Sequence, residues 1–160
     1  ETSDPLQCMQ ALNRTIRKSK MKPIYFLLFT FLFALSACQS RSIETIGEKV
    51  NVSGGVYTDL SPDELYAMLK NKDFVFVNVH IPFEGNIANT DLSIPFDQIA
   101  EPAYLSLLPA DKNAQIVLYC RSGRMSAIAA EVLVGKGYTN IWNLKNGMLE
   151  WEQSGYPLEK

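Results

Sequence analysis

Histidine occurs only once in this sequence, as His80, and cysteine three times, as Cys8, Cys38 and Cys120. A structural zinc site draws its ligands from clustered Cys and His; no such cluster exists, and no metal is expected. Neither G-x-x-x-x-G-K-S/T nor G-x-G-x-x-G occurs, so the usual glycine-rich cradles for phosphate are absent. No cofactor is expected. Charge of one sign is also lacking. The net is −2 at pH 7 over 160 residues, without the basic surplus of a nucleic-acid binder.

The charge is unevenly spread. Residues 1–37 hold five basic side chains, Arg14, Arg17, Lys18, Lys20 and Lys22, against Glu1 and Asp4, a net of +3 that leaves −5 for the rest. A basic start before an acidic body fits a leader followed by a soluble product. Residues 1–20 show no usable hydrophobic period and are read as an unassigned leader or a mis-called start, with Met9 or Met21 as alternative initiators. From Pro23 to Ala37 the chain is apolar apart from Thr30 and Ser36, about 15 residues, short of the roughly 20 that span a bilayer as a helix. Lysines precede the run and small residues follow it, the layout of a secretory signal peptide over 21–37. Leu35-Ser36-Ala37-Cys38 resembles the lipobox of bacterial lipoproteins. That resemblance implies cleavage before Cys38, lipidation of Cys38 and attachment to a membrane of the cell envelope. Several acyl chains on one residue anchor stably. An uncleaved membrane anchor is the main alternative. Residues 38–55 are then the lipidated cysteine and a flexible polar tether.

The informative stretch is Cys120-Arg121-Ser122-Gly123-Arg124-Met125-Ser126. Gln115–Tyr119 ahead of it reads as a buried strand, and Met125–Val134 behind it as a helix. A cysteine thus sits at the carboxyl end of a strand, where open α/β sheets bind ligands. The helix amino terminus offers unpaired N–H groups and partial positive charge. Arg121 and Arg124 add full charges, and Gly123 lets the loop curl around one anion. These features favour a thiolate nucleophile at Cys120. The bland alternative is a small buried hydrophobe.

Tyr119 to Leu158, YCRSGRMSAIAAEVLVGKGYTNIWNLKNGMLEWEQSGYPL, resembles the second half of a rhodanese-like sulfurtransferase domain. The resemblance implies that Cys120 is catalytic. In that family the loop cysteine accepts sulfane sulfur from a donor such as thiosulfate, becomes a persulfide, and passes the sulfur to cyanide or a thiol. Arg121, Ser122, Gly123, Arg124 and Met125 align with the rest of the substrate-binding loop. The alignment also exposes departures. Asn78-Val79-His80 stands where many members carry Asp-Val-Arg, and Gly85-Asn86-Ile87 where they carry Gly-His-Ile. His80 is read as a loop residue capping backbone groups, with a Cys–His pair as the alternative. The loop from Phe83 to Asp91 is placed at the pocket rim. Once a lipobox is cleaved, Cys120 is the only free thiol, which fits a sulfur carrier rather than disulfide chemistry. Two rivals differ in class. The first is a cysteine phosphatase or arsenate reductase, disfavoured because only three residues separate Cys120 from Arg124. The second is a non-catalytic binding module on the same fold.

The domain is expected over 56–160. Its strands are placed at Val56–Thr58, Phe74–His80, Ile94–Phe96, Gln115–Tyr119 and Asn140–Leu144. Helices are placed from Ser61 to Lys70, in a stretch opened by Gln98-Ile99 and interrupted by Pro102 with a second short turn over Tyr104–Leu108, over 125–134, and from Gly147 to Ser154. Trp142 and Trp151 are assigned to packing. This alternation predicts a three-layer α/β/α domain around a central, mainly parallel five-stranded sheet.

Overall fold

The computed structural model describes residues 46–159. The expected signal peptide, Cys8 and Cys38 lie outside them. In chain order the elements are β1 (Glu48–Val52), β2 (Gly55–Leu60), α1 (Pro62–Leu69), β3 (Val75–Asn78), β4 (Asn86–Ile87), β5 (Leu92–Ser93), α2 (Pro102–Leu105), β6 (Ile116–Tyr119), α3 (Arg124–Gly135), β7 (Ile141–Leu144), α4 (Gly147–Gln153) and β8 (Leu158–Glu159). The main sheet runs β1-β2-β7-β6-β3-β5, and β4 and β8 form a separate two-stranded sheet. From β2 to β5 every neighbour is parallel; β1 alone is antiparallel, to β2.

The five expected strands correspond to the parallel part, and the sixth is a correction. Residues 48–52, expected within the tether, pair with β2 from Glu48↔Asp59 to Val52↔Gly55. The cause is a weak alternation: Val50 and Val52 pack against the core while Glu48, Lys49 and Asn51 stay exposed. Two smaller shifts follow from proline and register. Pro102 does not interrupt a helix; it opens α2 near its first position, where its missing N–H costs nothing. The fifth strand forms at Leu92–Ser93, before Ile94.

Strand alternation divides the interior into two clusters, one on each face of the sheet. Val77, Val79, Ile116 and Leu118 join Ala129, Ala130 and Leu133 of α3 on one face. Phe76, Val117 and Tyr119 join Leu65 of α1 and Met148 and Trp151 of α4 on the other. Both faces of β3 and β6 are covered, which is why their sequences are almost continuously apolar. On α3 the buried residues are Ser126, Ala129, Ala130, Leu133 and Val134, the spacing of one helical face. Trp151 is buried and its Nε1–H donates to the Pro157 carbonyl at 3.0 Å, as a packing residue should.

Helix α1 begins with a complete capping box. The Glu64 amide donates to Ser61 Oγ, and the Glu64 carboxylate accepts from the Ser61 amide at 2.8 Å. The other Glu64 oxygen accepts from the Gly47 amide at 2.8 Å, joining the helix start to the chain entering β1. Ser61→Ala is expected to cost about 1 kcal/mol, read as a lower urea midpoint at unchanged slope. An unmoved midpoint would show that the box is redundant with the Gly47 contact.

Candidate active site

The position of Cys120 follows from the alternation of β6. Ile116 and Leu118 face α3, so the residue two further on, Cys120, faces α3 as well. It is 1% exposed and belongs to that cluster. The neighbouring strand β3 ends level with it: Asn78 is paired with Tyr119, and the Val79 amide donates to the Tyr119 carbonyl at 2.8 Å. Cys120 therefore lies where two central parallel strands end side by side.

The loop after Cys120 is oriented from the opposite face. The Met148 amide donates to the Cys120 carbonyl at 2.9 Å, and the Leu149 amide to the Arg121 carbonyl at 3.0 Å. In a trans peptide the C=O and the following N–H point opposite ways. Anchoring those carbonyls on α4 thus turns the amides of Arg121 and Ser122 away from α4. Among the described residues, none of the six amides from Arg121 to Ser126 has a hydrogen-bond partner; the first paired amide is Ala127, which donates to the Gly123 carbonyl at 3.0 Å. Gly123 turns the loop with φ +81. Gly147 lets α4 come close: a Cβ there would lie 2.7 Å from the Arg121 carbonyl oxygen.

The predicted loop residues divide by exposure. Arg121, Ser122 and Arg124 are exposed, Met125 is half-buried against the cluster holding Cys120, and Gly123 is buried. The structure adds Ser126, which the sequence reading did not name as a site residue. It is fully buried, and its Oγ lies 3.4 Å from Cys120 Sγ and 3.1 Å from the Gly123 carbonyl. One hydroxyl has one proton to give. It can donate to an anionic sulfur, or donate to the carbonyl and accept from a neutral thiol. A polar residue in the first helical turn, six positions after the cysteine, was the available signal.

Arg121 is ion-paired with Glu84, on the rim loop. The Arg121 guanidinium holds the Glu84 carboxyl below the usual range, with desolvation opposing and the nearby His80 acting in the same direction as Arg121. Glu84 was part of the expected rim without an assigned role. The His80 side chain is 8% exposed, with Nε2 3.6 Å from Glu84 Oε1. Neither ring nitrogen has a hydrogen-bond partner among the described residues. The ring therefore does not cap backbone groups as expected, nor is it hydrogen-bonded to Cys120.

The two asparagines that depart from the family pattern hold the rim. Asn78 Nδ2 donates to the Gly85 carbonyl at 2.9 Å and to Asn86 Oδ1 at 3.0 Å, while Asn78 Oδ1 accepts from the His80 amide at 2.9 Å. Asn86 Oδ1 also accepts from the Tyr119 hydroxyl at 3.1 Å. That hydroxyl accepts from the Ile87 amide and lies 2.7 Å from Thr90 Oγ1. Burial is the main cause raising the Tyr119 pKa, which keeps the hydroxyl neutral.

Gly123→Ala would force a side chain into the left-handed region and place its Cβ 2.7 Å from the Asn146 amide nitrogen. A destabilisation of about 2 kcal/mol is expected, read from chemical denaturation. Wild-type stability in this variant would mean that the loop can re-route.

The rhodanese-like domain family model matches residues 61–154. A sulfurtransferase of Allochromatium vinosum is 33% identical over 90 residues, covering 54% of this chain and 79% of that protein. A tRNA uridine(34) hydroxylase of Erwinia tasmaniensis is 30% identical over 96 residues, covering 58% of this chain but only 27% of that much longer protein. Among solved structures, a rhodanese-like domain protein from Staphylococcus aureus superimposes with a TM-score of 0.52 at 30% identity, covering 64% of this chain and 98% of that one. With its α/β architecture and a loop cysteine at the end of a central strand, the chain belongs to the rhodanese-like domain family.

Proposed function

We propose that this domain is a sulfurtransferase that carries sulfane sulfur as a persulfide on Cys120. The observation that carries the reading is the set of unpartnered amides from Arg121 to Ser126, following directly on the thiol. Such a nest suits an anionic sulfur better than a neutral side chain. In the reaction, the Cys120 thiolate attacks the outer sulfur of a donor such as thiosulfate. The donor's S–S bond breaks, sulfite leaves, and the new S–S bond forms on Cys120. A thiol or cyanide then attacks the outer sulfur of the persulfide and regenerates the thiolate. Ser126 is placed to donate to either form of the sulfur, and the exposed Arg124 to attract an anionic donor. The burial of Cys120 favours the rival reading, a non-catalytic binding module. Reaction with a small terminal sulfur is the step that separates the two.

The domain's place in the cell is proposed from the sequence alone. Cys38 carries the lipid, and the domain faces the extracytoplasmic side of the envelope on a tether that, given β1, ends near residue 47.

Intact mass after incubation with thiosulfate should show a gain of one sulfur atom. The gain should be reversed by cyanide and absent from Cys120→Ser. No adduct from any sulfane donor on unoxidised Cys120 would sink the sulfurtransferase reading and favour the binding module. For the anchor, full-length chain expressed in a bacterial host should incorporate labelled palmitate, and Cys38→Ala should not. Equal labelling of both would place the lipid elsewhere and overturn the assignment.

A further inference from the structure

We infer that the α1/α4 face of the domain carries a ligand site separate from the cysteine loop: an aromatic cleft that takes a small monocarboxylate bearing one apolar ring. The inference does not rest on the sulfurtransferase reading.

The cleft lies between the end of α1 and the turn that follows α4. It measures about 220 Å³, and its lining includes Tyr66, Leu69, Lys70, Trp151, Tyr156 and Pro157. None of residues 120–126 lines it, and Cys120 packs in the cluster on the α3 side of the sheet. An apolar cavity of roughly 150 Å³ takes a benzene. The cleft therefore has room for one six-membered ring and a short acidic arm.

Its aromatic walls are already fixed on one another. The rings of Tyr66 and Tyr156 lie 4.5 Å apart between centroids and within 19° of parallel. Tyr156 in turn meets Trp151 at 4.6 Å and 38°. Ring pairs of this geometry attract one another beyond the area they bury. Two of the three rings are also tied at their polar ends. The Tyr156 hydroxyl donates to Asp63 Oδ1 at 2.7 Å, and Trp151 Nε1–H to the Pro157 carbonyl at 3.0 Å. Their polar groups are spent within the protein, so what they leave to a ligand is ring carbon. Walls held in this way lose little freedom when a ligand arrives. Tyr66 is the accessible wall, 44% exposed, and gains by being covered.

Charge decides the class of ligand. Lys70 is the only residue lining the cleft that carries a charge. It is in no ion pair among the described residues, whereas the nearby Lys72 is paired with Asp91. Lys70 Nζ stands 4.9 Å from the centroid of the Tyr66 ring. That is a weak contact at an exposed site, and it leaves the ammonium free to meet an anion. Lys70 also forms the C-cap of α1, so its charge offsets the partial negative charge of that helix end. The carboxylate of Asp63 does not line the cleft. A neutral ring would leave the ammonium without a partner, and a polyanion would find no second cation. One acidic group on one ring satisfies both the aromatic walls and Lys70.

The test is a titration of the full chain with phenylacetate and with its neutral counterpart 2-phenylethanol, followed by the indole N–H resonances of Trp142 and Trp151. Phenylacetate should shift Trp151 saturably and leave Trp142, which does not line the cleft, in place. Its affinity should exceed that of 2-phenylethanol by about fivefold, the upper range for a solvent-exposed ion pair. The preference should vanish in Lys70→Met and persist in Lys70→Arg. Tyr66→Ala, at an exposed position, should weaken both ligands. Cys120→Ser should bind phenylacetate as the wild type does; weaker binding there would mean that the two sites are not separate. No saturable shift of Trp151, equal shifts of both tryptophans, or a preference for the acid that survives Lys70→Met each overturn the inference, whatever sulfur Cys120 carries.

Discussion

Two backbone hydrogen bonds hold the site in its present form, those from the amides of Met148 and Leu149 to the carbonyls of Cys120 and Arg121. They cross from one helical layer to a loop whose cysteine faces the other layer. Without them the peptides after Cys120 could flip, and the unpaired amides would scatter. The contact requires that α4 approach the loop at backbone distance, which Gly147 permits. It also requires α4 to be pinned from below, which the burial of Met148 and Trp151 accomplishes. The chemistry of the loop therefore depends on a helix that contributes backbone amides to it but no side chain placed at the sulfur.

Much of this was legible in the sequence. The Ile116–Tyr119 strand, the loop and α3 were readable because local signals agreed: a short apolar run, then glycine and charge, then apolar residues at helical spacing. The same agreement revealed the start of α1 at Ser61-Pro62-Asp63-Glu64. The strand at Glu48–Val52 was hidden because only two of its five residues touch the core, and an edge strand half-covered in this way looks like a polar linker. The helix expected at Gln98-Ile99 became turns, because the apolar Ile99 is buried individually rather than as part of a stripe. Partnerships over long sequence separations, such as Glu84 with Arg121, leave no periodic trace and needed the folded chain.

The structure also revises how charge is arranged around the thiol. Sequence alone offered two arginines as a positive field. In the fold they differ: Arg121 is held by Glu84, and Arg124 stands exposed at the start of α3. His80, next to Glu84 and largely buried, adds a group whose ring nitrogens have no partner among the described residues. The charge beside the cysteine loop comes from this small group on the rim loop as well as from the loop's own arginines.

Asp91 fastens the far end of the rim with a charge, accepting from the Phe76 amide and pairing with Lys72; nearer Glu84 the rim is held by groups that carry none. Asn78, Asn86, Thr90 and Tyr119 share hydrogen bonds in which amide and hydroxyl groups take the places that acids or imidazoles could hold. Neutral partners of this kind do not titrate across the physiological range and are little affected by dissolved ions. The hydrogen bonds nearest Glu84 are thereby insulated from the surrounding medium, while its ion pair with Arg121 remains responsive to dissolved ions. Shape and charge beside the cysteine loop are thus held by different groups: replacing Glu84 changes the charge and removes none of the hydrogen bonds among Asn78, Gly85, Asn86 and Tyr119.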